Sequence, residues 1–372
     1  MWFDSNDLIY KKPIILDDLH GYVLPHAGTK YTKNIVNHTL QFKPAKTFKY
    51  IKIIYYPSNN NPNVNGKWFH EYYVVWKILE HYVKKFWKLN NIKFIPINLK
   101  TGIKKLSRTR KKRQTKTRKA VNNEMTYKNT LTVVSADFSH FLEFQEAIEK
   151  ENCAAKSILH KNFSPKCTSV IDDEISFKYL YNNIPNNWVL QWIGRTRSPG
   201  LKGVGYLSFL IRNEPNPLKD KPDGLFVTVY DIDMIAHECL GLWFNDNVWN
   251  KKRENNFVKE VIEKGSLSRL TSGVLNNKKM TNYTITYLYE SKISTFKRGW
   301  HGVLSSAFYL PDVFLENTFE NGVWIKKFHT LWPNFGNFNF KETDSKLVEK
   351  SGSNIRENRK FYDTKVLHKQ IK

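Results

Sequence analysis

Residues 131–140 carry the sequence LTVVSADFSH, the stretch that decides the fold class of the N-terminal half. Its first five residues are mostly apolar or β-branched, as in a strand that is buried on both faces. Asp137 and His140 follow directly, and both have polar side chains that can bind a ligand. In open α/β sheets, ligands collect at the carboxyl ends of the strands. The stretch therefore predicts a buried strand that ends at a functional site.

Further strands and helices are predicted on both sides of this stretch. Residues 50–56 (YIKIIYY) and 93–99 (KFIPINL) are apolar runs typical of strands, and another strand is expected over 204–212 (VGYLSFLIR). Apolar residues recur at helical spacing over 68–89, and residues 144–159 (FQEAIEKENCAAKSIL) favour a second helix. Alternation of strands and helices predicts a layered α/β domain.

A domain boundary is predicted at residues 213–217 (NEPNP), where two prolines within three positions restrict the chain. The first domain would cover 1–213 and a smaller α+β domain would cover 214–341. The smaller domain contains two strand patterns and one helical pattern, at residues 224–230, 283–290 and 257–264. Because residues 342–372 are polar and charged with few aliphatic side chains, we predict a mobile tail there.

The composition is that of a chain with enough apolar residues for two cores. Hydrophobic residues make up 41% of the 372 residues, so global disorder is excluded. No run reaches the roughly 18 uncharged apolar residues of a membrane span, and the first residues lack the pattern of a secretory signal. Three cysteines (Cys153, Cys167 and Cys239) are too few and too scattered for a disulfide framework. We therefore expect an intracellular protein, cytoplasmic or nuclear, with no membrane contact.

The net charge of +25 is partly concentrated in one block. Residues 104–119 (KKLSRTRKKRQTKTRK) hold ten basic residues and no acid, which predicts a solvated loop within an insertion over 101–120. One interpretation is weak nucleic-acid contact or a nuclear localisation signal. The other is a coding bias towards Lys, because removing these ten charges from +25 still leaves +15. The residues predicted to contact phosphates are Lys104, Lys105, Arg108, Arg110, Lys111, Lys112 and Arg113.

Four short segments place polar side chains at or near the ends of predicted strands. They are residues 24–28 (LPHAG), 56–60 (YPSNN), 135–140 (SADFSH) and 166–168 (KCT). The spacing of Asp137 and His140 allows the carboxylate to orient the imidazole, or both groups to bind one metal ion. Each segment alone also has a structural interpretation. A single histidine is usually a hydrogen-bonded structural residue, and a single cysteine is usually a small buried side chain.

Taken together, these segments resemble the Memo family. Members of that family have a PHAG segment, a strand ending in G-P-S-H, a strand leading into S-D-F-x-H, and a Cys–Gly segment. The matches here are residues 25–28 (PHAG), 56–58 (YPS), 135–140 (SADFSH) and Cys167, in the same order. The resemblance covers residues 15–212.

The resemblance implies a fold like that of the class III extradiol dioxygenases, which hold a non-haem metal at one end of the sheet. It implies His26 and Cys167 as metal ligands, with Asn59 at the position of another ligand. Asp137 and His140 would line the pocket as catalytic residues. Imidazole and thiolate together suit iron, copper or zinc, so iron or copper would be the cofactor of a functional site.

The chain also departs from the family pattern at its ligand positions. Asn59 replaces a histidine, and an amide is a poorer ligand for a transition metal. The E-H-S-x-E-x-H segment of the family aligns with residues 71–77 (EYYVVWK), which contain neither histidine and place Lys77 near any cation. Thr168 rather than glycine follows Cys167. These changes predict a degenerate metal site.

The second half resembles the AMMECR-type family over residues 218–340. The matching segments are residues 223–228 (DGLFVT), 236–241 (AHECLG), 299–303 (GWHGV) and 308–313 (FYLPDV). His237 and Glu238 replace the Arg and Gly of the family's R-G-C-I-G turn, whereas Cys239 remains. Cys239 is either a reactive thiol or a buried structural residue. His301 is either a site residue or a packed turn residue.

Memo-like and AMMECR-like domains occur together, also fused, and beside radical-SAM-type enzymes, so the resemblance implies such an enzyme as a partner. Three functions remain open at the level of sequence. The favoured one is a binding or accessory protein with a degenerate metal site. The second is a non-haem metal-dependent redox enzyme or metal-binding protein. The third is a basic nucleic-acid-associated protein.

Overall fold

The structure is a computed structural model that describes the chain in ranges with gaps. These ranges are 2–100, 125–199, 202–244, 249–266, 279–293, 297, 299–304, 308–316, 319–320, 323–324 and 360–371. The basic block at 104–119, including every residue predicted to contact phosphates, lies outside them.

The described residues form sixteen strands and eight α-helices, which confirms the mixed α/β content that the sequence predicts. The strands are β1 (Ile14–Leu16), β2 (Leu19–Leu24), β3 (Phe42–Pro44), β4 (Tyr50–Tyr55), β5 (Lys93–Asn98), β6 (Thr130–Ser135), β7 (Trp188–Arg197), β8 (Gly205–Asn213), β9 (Gly224–Tyr230), β10 (Ala236–Trp243), β11 (Asn282–Glu290), β12 (His301–Leu304), β13 (Phe308–Tyr309), β14 (Phe319–Glu320), β15 (Val323–Trp324) and β16 (Lys360–Gln370). The helices are α1 (Thr29–Thr39), α2 (His70–His81), α3 (Phe144–Leu159), α4 (Pro165–Thr168), α5 (Glu174–Asn182), α6 (Pro217–Asp220), α7 (Lys251–Ser266) and α8 (Pro311–Glu316). None of these helices combines the length and the apolar character that crossing a bilayer requires.

The chain divides into two compact units. The first comprises Met1–Leu142, Ile171–Leu190 and Gly194–Asn213, and the second comprises Glu143–Val170, Gln191–Ile193 and Glu214–Lys372. The chain enters the second unit for the last time after Asn213, where the proline-containing segment begins. The second unit also includes α3 and α4, which lie within the predicted span of the first domain.

The first unit contains a six-stranded sheet with the order β5-β4-β6-β2-β8-β7. Strands β5, β4, β6 and β2 are parallel, and β8 is antiparallel to β2. Every residue of β6 is buried, as the continuous apolar run predicts for a central parallel strand. Pro96 lies in β5 at the edge of the sheet, where a missing backbone N–H is tolerated.

Gly21 permits the close approach of the two central strands β2 and β6. A Cβ atom at this position would lie only 1.8 Å from the backbone oxygen of Thr132 in β6. The glycine therefore sets the relative position of two strands whose carboxyl ends lie side by side.

The second unit contains an antiparallel sheet with the order β10-β9-β11-β16-β12-β13. One face is apolar and packs on α7 in a core that includes Val227, Ile285, Leu367 and Val261. The opposite face contains hydroxyl and imidazole side chains, and several of these are also buried. Its polar residues include Thr228, Thr284, Thr286, Thr364 and His368.

The C-terminal strand β16 corrects the expectation of a mobile tail over 342–372. Residues 360–370 pair with both β11 and β12 in the interior of the second sheet. The sequence did not predict this strand because only every second residue faces the apolar core, and some of these core-facing residues are charged. Residues 342–359 lie outside the described ranges.

Candidate metal centre

The parallel strands of the first sheet bring two predicted site residues to the same edge. His26 lies two residues after the end of β2, and Asp137 lies two residues after the end of β6. Because β2 and β6 are adjacent and parallel, their carboxyl ends coincide. His26 and Asp137 are 5% and 4% exposed, and both line a pocket that opens from this edge.

Asp172 completes a group of three possible metal ligands with His26 and Asp137. One ligand atom from each residue lies within 4.8 Å of the others, and no second such group of His, Cys, Asp or Glu occurs in the described ranges. Nε2 of His26 is 3.7 Å from Oδ2 of Asp137 and 3.1 Å from Oδ2 of Asp172. Asp172 is the exposed member, so the group is accessible from the pocket.

Backbone hydrogen bonds fix the two carboxylates relative to the histidine. The backbone N–H of His26 donates to Oδ1 of Asp137 at 2.9 Å, and the N–H of Asp137 donates to Oδ1 of Asp172 at 2.9 Å. Each carboxylate thus uses one oxygen for the backbone and directs the other towards Nε2 of His26. Asp172 also precedes Asp173, which caps the N-terminus of α5 by accepting the N–H of Ser176.

Ser135 determines which nitrogen carries the proton when the His26 ring is neutral. Its hydroxyl donates to the backbone oxygen of Glu71 at 2.5 Å, so its oxygen accepts from Nδ1 of His26 at 3.2 Å. The neutral imidazole would then hold its proton on Nδ1 and present the lone pair of Nε2 to the two carboxylates. This is the arrangement of a metal-bound histidine, whose other ring N–H is held by a hydrogen bond.

The charges of the group shift the pKa values of His26 and Asp137. Burial alone would lower the pKa of His26, but the charges of Asp137 and Asp172 outweigh burial and raise this pKa to about 10. Burial raises the pKa of Asp137 to about 6, although the charge on His26 opposes the rise. A proton on Nε2 therefore neutralises part of the negative charge where a metal cation would lie.

His70 is a second histidine at the same pocket. Its ring is edge-on to that of His26, with 5.2 Å between ring centroids, and it stacks on Trp2 at 5.0 Å. Asn63 accepts the backbone N–H of His70 and donates its side-chain N–H to Nδ1 at 2.8 Å. Burial and the charge on His26 lower the pKa of His70. The neutral ring therefore holds its proton on Nε2.

Glu71 lies beneath this histidine as a buried carboxylate. Its Oε1 accepts from both the backbone N–H and the hydroxyl of Ser58, at 2.8 and 2.7 Å, and its Oε2 is 3.4 Å from Nδ1 of His70. Burial would raise the pKa of Glu71, but the bonds from Ser58 outweigh burial and lower it. The residues after β4 thus hold a negative charge close to the pocket.

The geometry fits a divalent transition metal. Ligand atoms about 2.1 Å from a tetrahedral zinc ion lie about 3.4 Å from one another, and the distances of 3.1 and 3.7 Å from Nε2 of His26 to the two carboxylate oxygens bracket that value. One imidazole and two carboxylates suit zinc, manganese or iron(II). Three protein ligands leave further coordination positions for water or substrate.

Not all of the predicted site residues join this group. His140 lines the same pocket and is exposed. Asn59 is exposed and does not line the pocket, whereas its neighbour Ser58 does. Lys77 pairs with Glu80 at 2.8 Å and also does not line the pocket. Residues 71–77, which align with the histidine-containing segment of the family, begin one residue after His70, and His70 does line the pocket.

Cys167 corrects the expectation of a thiolate ligand. Its sulfur is bonded to that of Cys153, and both residues belong to the second unit. A metal ligand would have to be a free thiolate. The sequence predicted no disulfide framework, but two of its three cysteines are paired.

Cys239 and His301 have structural environments in the second unit. Burial raises the pKa of the Cys239 thiol to about 12, and the Thr228 hydroxyl donates to its sulfur at 3.2 Å, so this environment disfavours the reactive thiolate. His301 is fully buried, its Nδ1 accepts the N–H of Lys297 at 3.0 Å, and its Nε2 is 3.3 Å from Asp363. These contacts fit a packed structural residue, which lies at the start of β12 rather than in a turn.

Asp172, His70 and Ser135 are the site residues that sequence reasoning missed or left without a role. Asp172 lies in the sequence IDDEIS, which signals only a helix N-terminus. His70 is the first residue of α2, a helix whose apolar pattern dominates the local sequence. Ser135 belongs to residues 135–140 (SADFSH), but the sequence does not show that its hydroxyl lies between Glu71 and His26.

The chain matches no protein-family model, and no curated protein matches it either.

Proposed function

We propose that the first unit is a metal-binding domain that holds one divalent transition metal through Nε2 of His26, Oδ2 of Asp137 and Oδ2 of Asp172. The observation that carries the proposal is the convergence of these three atoms in an open pocket. The second supporting observation is the hydrogen bond from His26 to Ser135, which leaves Nε2 available as a ligand. Zinc, manganese and iron(II) are the ions that suit these donors.

The expectation of a degenerate site rested on Asn59 and on histidines missing from 71–77. Asp172 supplies a donor from a different loop, so we infer a rebuilt site rather than a decayed one. This favours a metal-dependent enzyme over a purely accessory protein. The resemblance to the Memo family, with its dioxygenase-like fold, remains part of the proposal. It is supported by PHAG and SADFSH, which follow adjacent parallel strands.

The reaction class that we propose is one that needs a Lewis acid beside a proton donor. A metal bound here would polarise a substrate oxygen or lower the pKa of a bound water. The chain supplies the remaining groups. His70 offers an N–H from Nε2 at the pocket wall, since Asn63 occupies its Nδ1. His140, at the exposed rim, would contact the outer part of a substrate.

The second unit is assigned to the AMMECR type by the same proposal, and a radical-SAM-type enzyme remains the partner that the family resemblance implies. Neither assignment affects the metal centre, whose three ligands all belong to the first unit.

Elemental analysis of protein purified without a metal-binding tag tests the proposal. We expect near-stoichiometric zinc, manganese or iron in the wild type, and its loss in both His26→Ala and Asp172→Asn. His81→Gln, at the end of α2 and away from the pocket lining, is the matched control and should keep the metal. Removing a ligand should weaken affinity by well over the roughly 10–100-fold that loss of an outer-shell partner costs.

Two outcomes would contradict the proposal. Wild-type protein that takes up no metal, even after incubation with zinc and with manganese, would exclude a metal centre. Equal metal content in Asp172→Asn and wild type would show that the ion lies elsewhere.

A further inference from the structure

A second cavity lies within the second unit and is separate from the metal centre. Its floor is the polar face of the sheet, and its walls include residues of α3 and α8. The cavity has a volume of about 50 Å³, several times the roughly 10–15 Å³ that one water molecule needs, so it has room for a ligand of only a few heavy atoms. All lining residues belong to the second unit.

The floor of the cavity is buried but chemically polar. Thr284, Thr286 and Thr364 are at most 7% exposed, and they lie on adjacent strands. The hydroxyl of Thr284 is 3.1 Å from both Nε2 of His160 and Nδ1 of His368. A sheet face that packs only for stability would be apolar, because burial of hydroxyl and imidazole groups is costly. These groups therefore suit a polar ligand.

The charged residues of the cavity leave an excess of one negative charge. Asp312 and Glu316 lie one turn apart on α8 and so share a face, and both line the cavity. Lys156 pairs with Glu316 at 2.9 Å. Burial and the charge of Glu316 raise the pKa of Asp312 to about 6, so this carboxylate is ionised at neutral pH. Burial lowers the pKa of His160 well below its usual value, so this ring is neutral there.

The lining also includes two aromatic side chains, Trp192 and Tyr230. The Nζ of Lys156 lies 5.5 Å from the centre of the Tyr230 ring, so one ammonium group already lies against this wall. An anionic ligand is disfavoured because the carboxylates of the cavity outnumber its cations and would repel it. A bare metal ion is disfavoured because, in the part of the chain that the structure describes, the only convergent group of metal-ligating atoms is that of His26.

We propose that this cavity binds a small organic amine as its ammonium ion, with Asp312 as the counter-ion and the aromatic rings as walls. The ammonium would donate to Asp312 and to a threonine hydroxyl of the floor. Its apolar part would lie against Trp192 and Tyr230. The site is independent of the metal centre, since no lining residue is shared.

Calorimetric titration of the full chain at neutral pH tests the proposal with three probes of similar size. Butylammonium should bind, whereas butanol and butyrate should not, because only the first carries a positive charge. Asp312→Asn should weaken binding of butylammonium by at least about tenfold, the loss of one charge-assisted hydrogen bond. Lys156→Met should strengthen it several-fold, because the competing ammonium is removed.

The opposite effects of Asp312→Asn and Lys156→Met separate a ligand site from a general loss of structure. Glu263→Gln, an exposed carboxylate on α7, is the control and should bind as the wild type does. If Asp312→Asn does not fold, Glu316→Gln replaces it with the same expected direction. Preference for butyrate, no binding of butylammonium, or equal affinity in the wild type and the folded carboxylate variant would overturn the proposal.

Discussion

At the scale of the residue, the proposed metal centre depends on small groups that fix the positions of its ligands. Ser135 holds Nδ1 of His26, and backbone N–H groups hold one oxygen of each carboxylate. The sequence predicted that His26, Asp137 and His140 lie near one another because each follows a strand within a distinctive motif, and all three line one pocket. Asp172 was not predictable, because an aspartate in a loop before a helix is common for capping alone.

Metal affinity should depend on pH because a proton occupies the ligand position of His26. With its pKa raised to about 10, Nε2 is protonated at neutral pH, and a metal ion must displace that proton. Affinity should therefore rise with pH, by about tenfold per unit between about pH 6.5 and about pH 8.5. Zinc titration in competition with a chromogenic chelator measures this dependence.

The same titration separates the contribution of Asp137 from that of His26. Below about pH 6 the metal affinity should fall more steeply with decreasing pH. The Asp137 carboxyl, with a pKa of about 6, then binds a proton as well, and the metal ion must displace two protons. Affinity that is constant over the whole range would mean that His26 does not bind the metal through Nε2.

At the scale of the element, most strands and helices with a strong apolar pattern were predictable. The helix predicted over 144–159 coincides with α3, and the strand predicted over 224–230 coincides with β9. The helix predicted over 68–89 is α2 followed by a π-helical turn at Tyr82–Phe86. Strand β16 was missed because one of its faces contributes to a polar cavity, so its hydrophobic residues do not alternate clearly.

Gly21→Ala should unfold the first unit or destabilise it severely. The new Cβ would lie 1.8 Å from the oxygen of Thr132, so β2 and β6 would have to separate. We expect the free energy of unfolding to fall by more than about 3 kcal/mol, at the severe end for overpacking, and the metal to be lost with it. Urea unfolding followed by tryptophan fluorescence, combined with metal analysis, measures both.

Gly66→Ala is the matched control for this substitution. Gly66 has φ of +62°, but nothing lies within 4 Å of a Cβ atom there, so only the left-handed backbone opposes the change. Its cost should be about 1 kcal/mol, with metal binding retained. Equal effects of the two substitutions would show that contact between β2 and β6 is not what Gly21 protects.

At the scale of the whole molecule, the basic block at 104–119 lies outside the described residues, so its prediction rests on the sequence alone. Deleting it removes ten of the positive charges that give +25, leaving +15. If the block contacts phosphates, the deletion should weaken binding to a random DNA duplex at low salt by at least about tenfold and reduce its salt dependence. Fluorescence anisotropy at several salt concentrations measures both quantities. Unchanged binding would rule the block out as the cause.

The sheet of the second unit also bears on how this protein would change over generations. On the side of α7, exchanges among Val, Ile and Leu preserve volume and apolar contact, so neutral drift is expected there. On the other side, a change from Thr to Val keeps the shape of the side chain but removes a hydroxyl. Selection for a ligand would forbid such changes, while selection for stability alone would favour them. If the cavity binds a ligand, descendants of this chain should therefore keep the residues of the cavity face and vary those of the face that packs on α7.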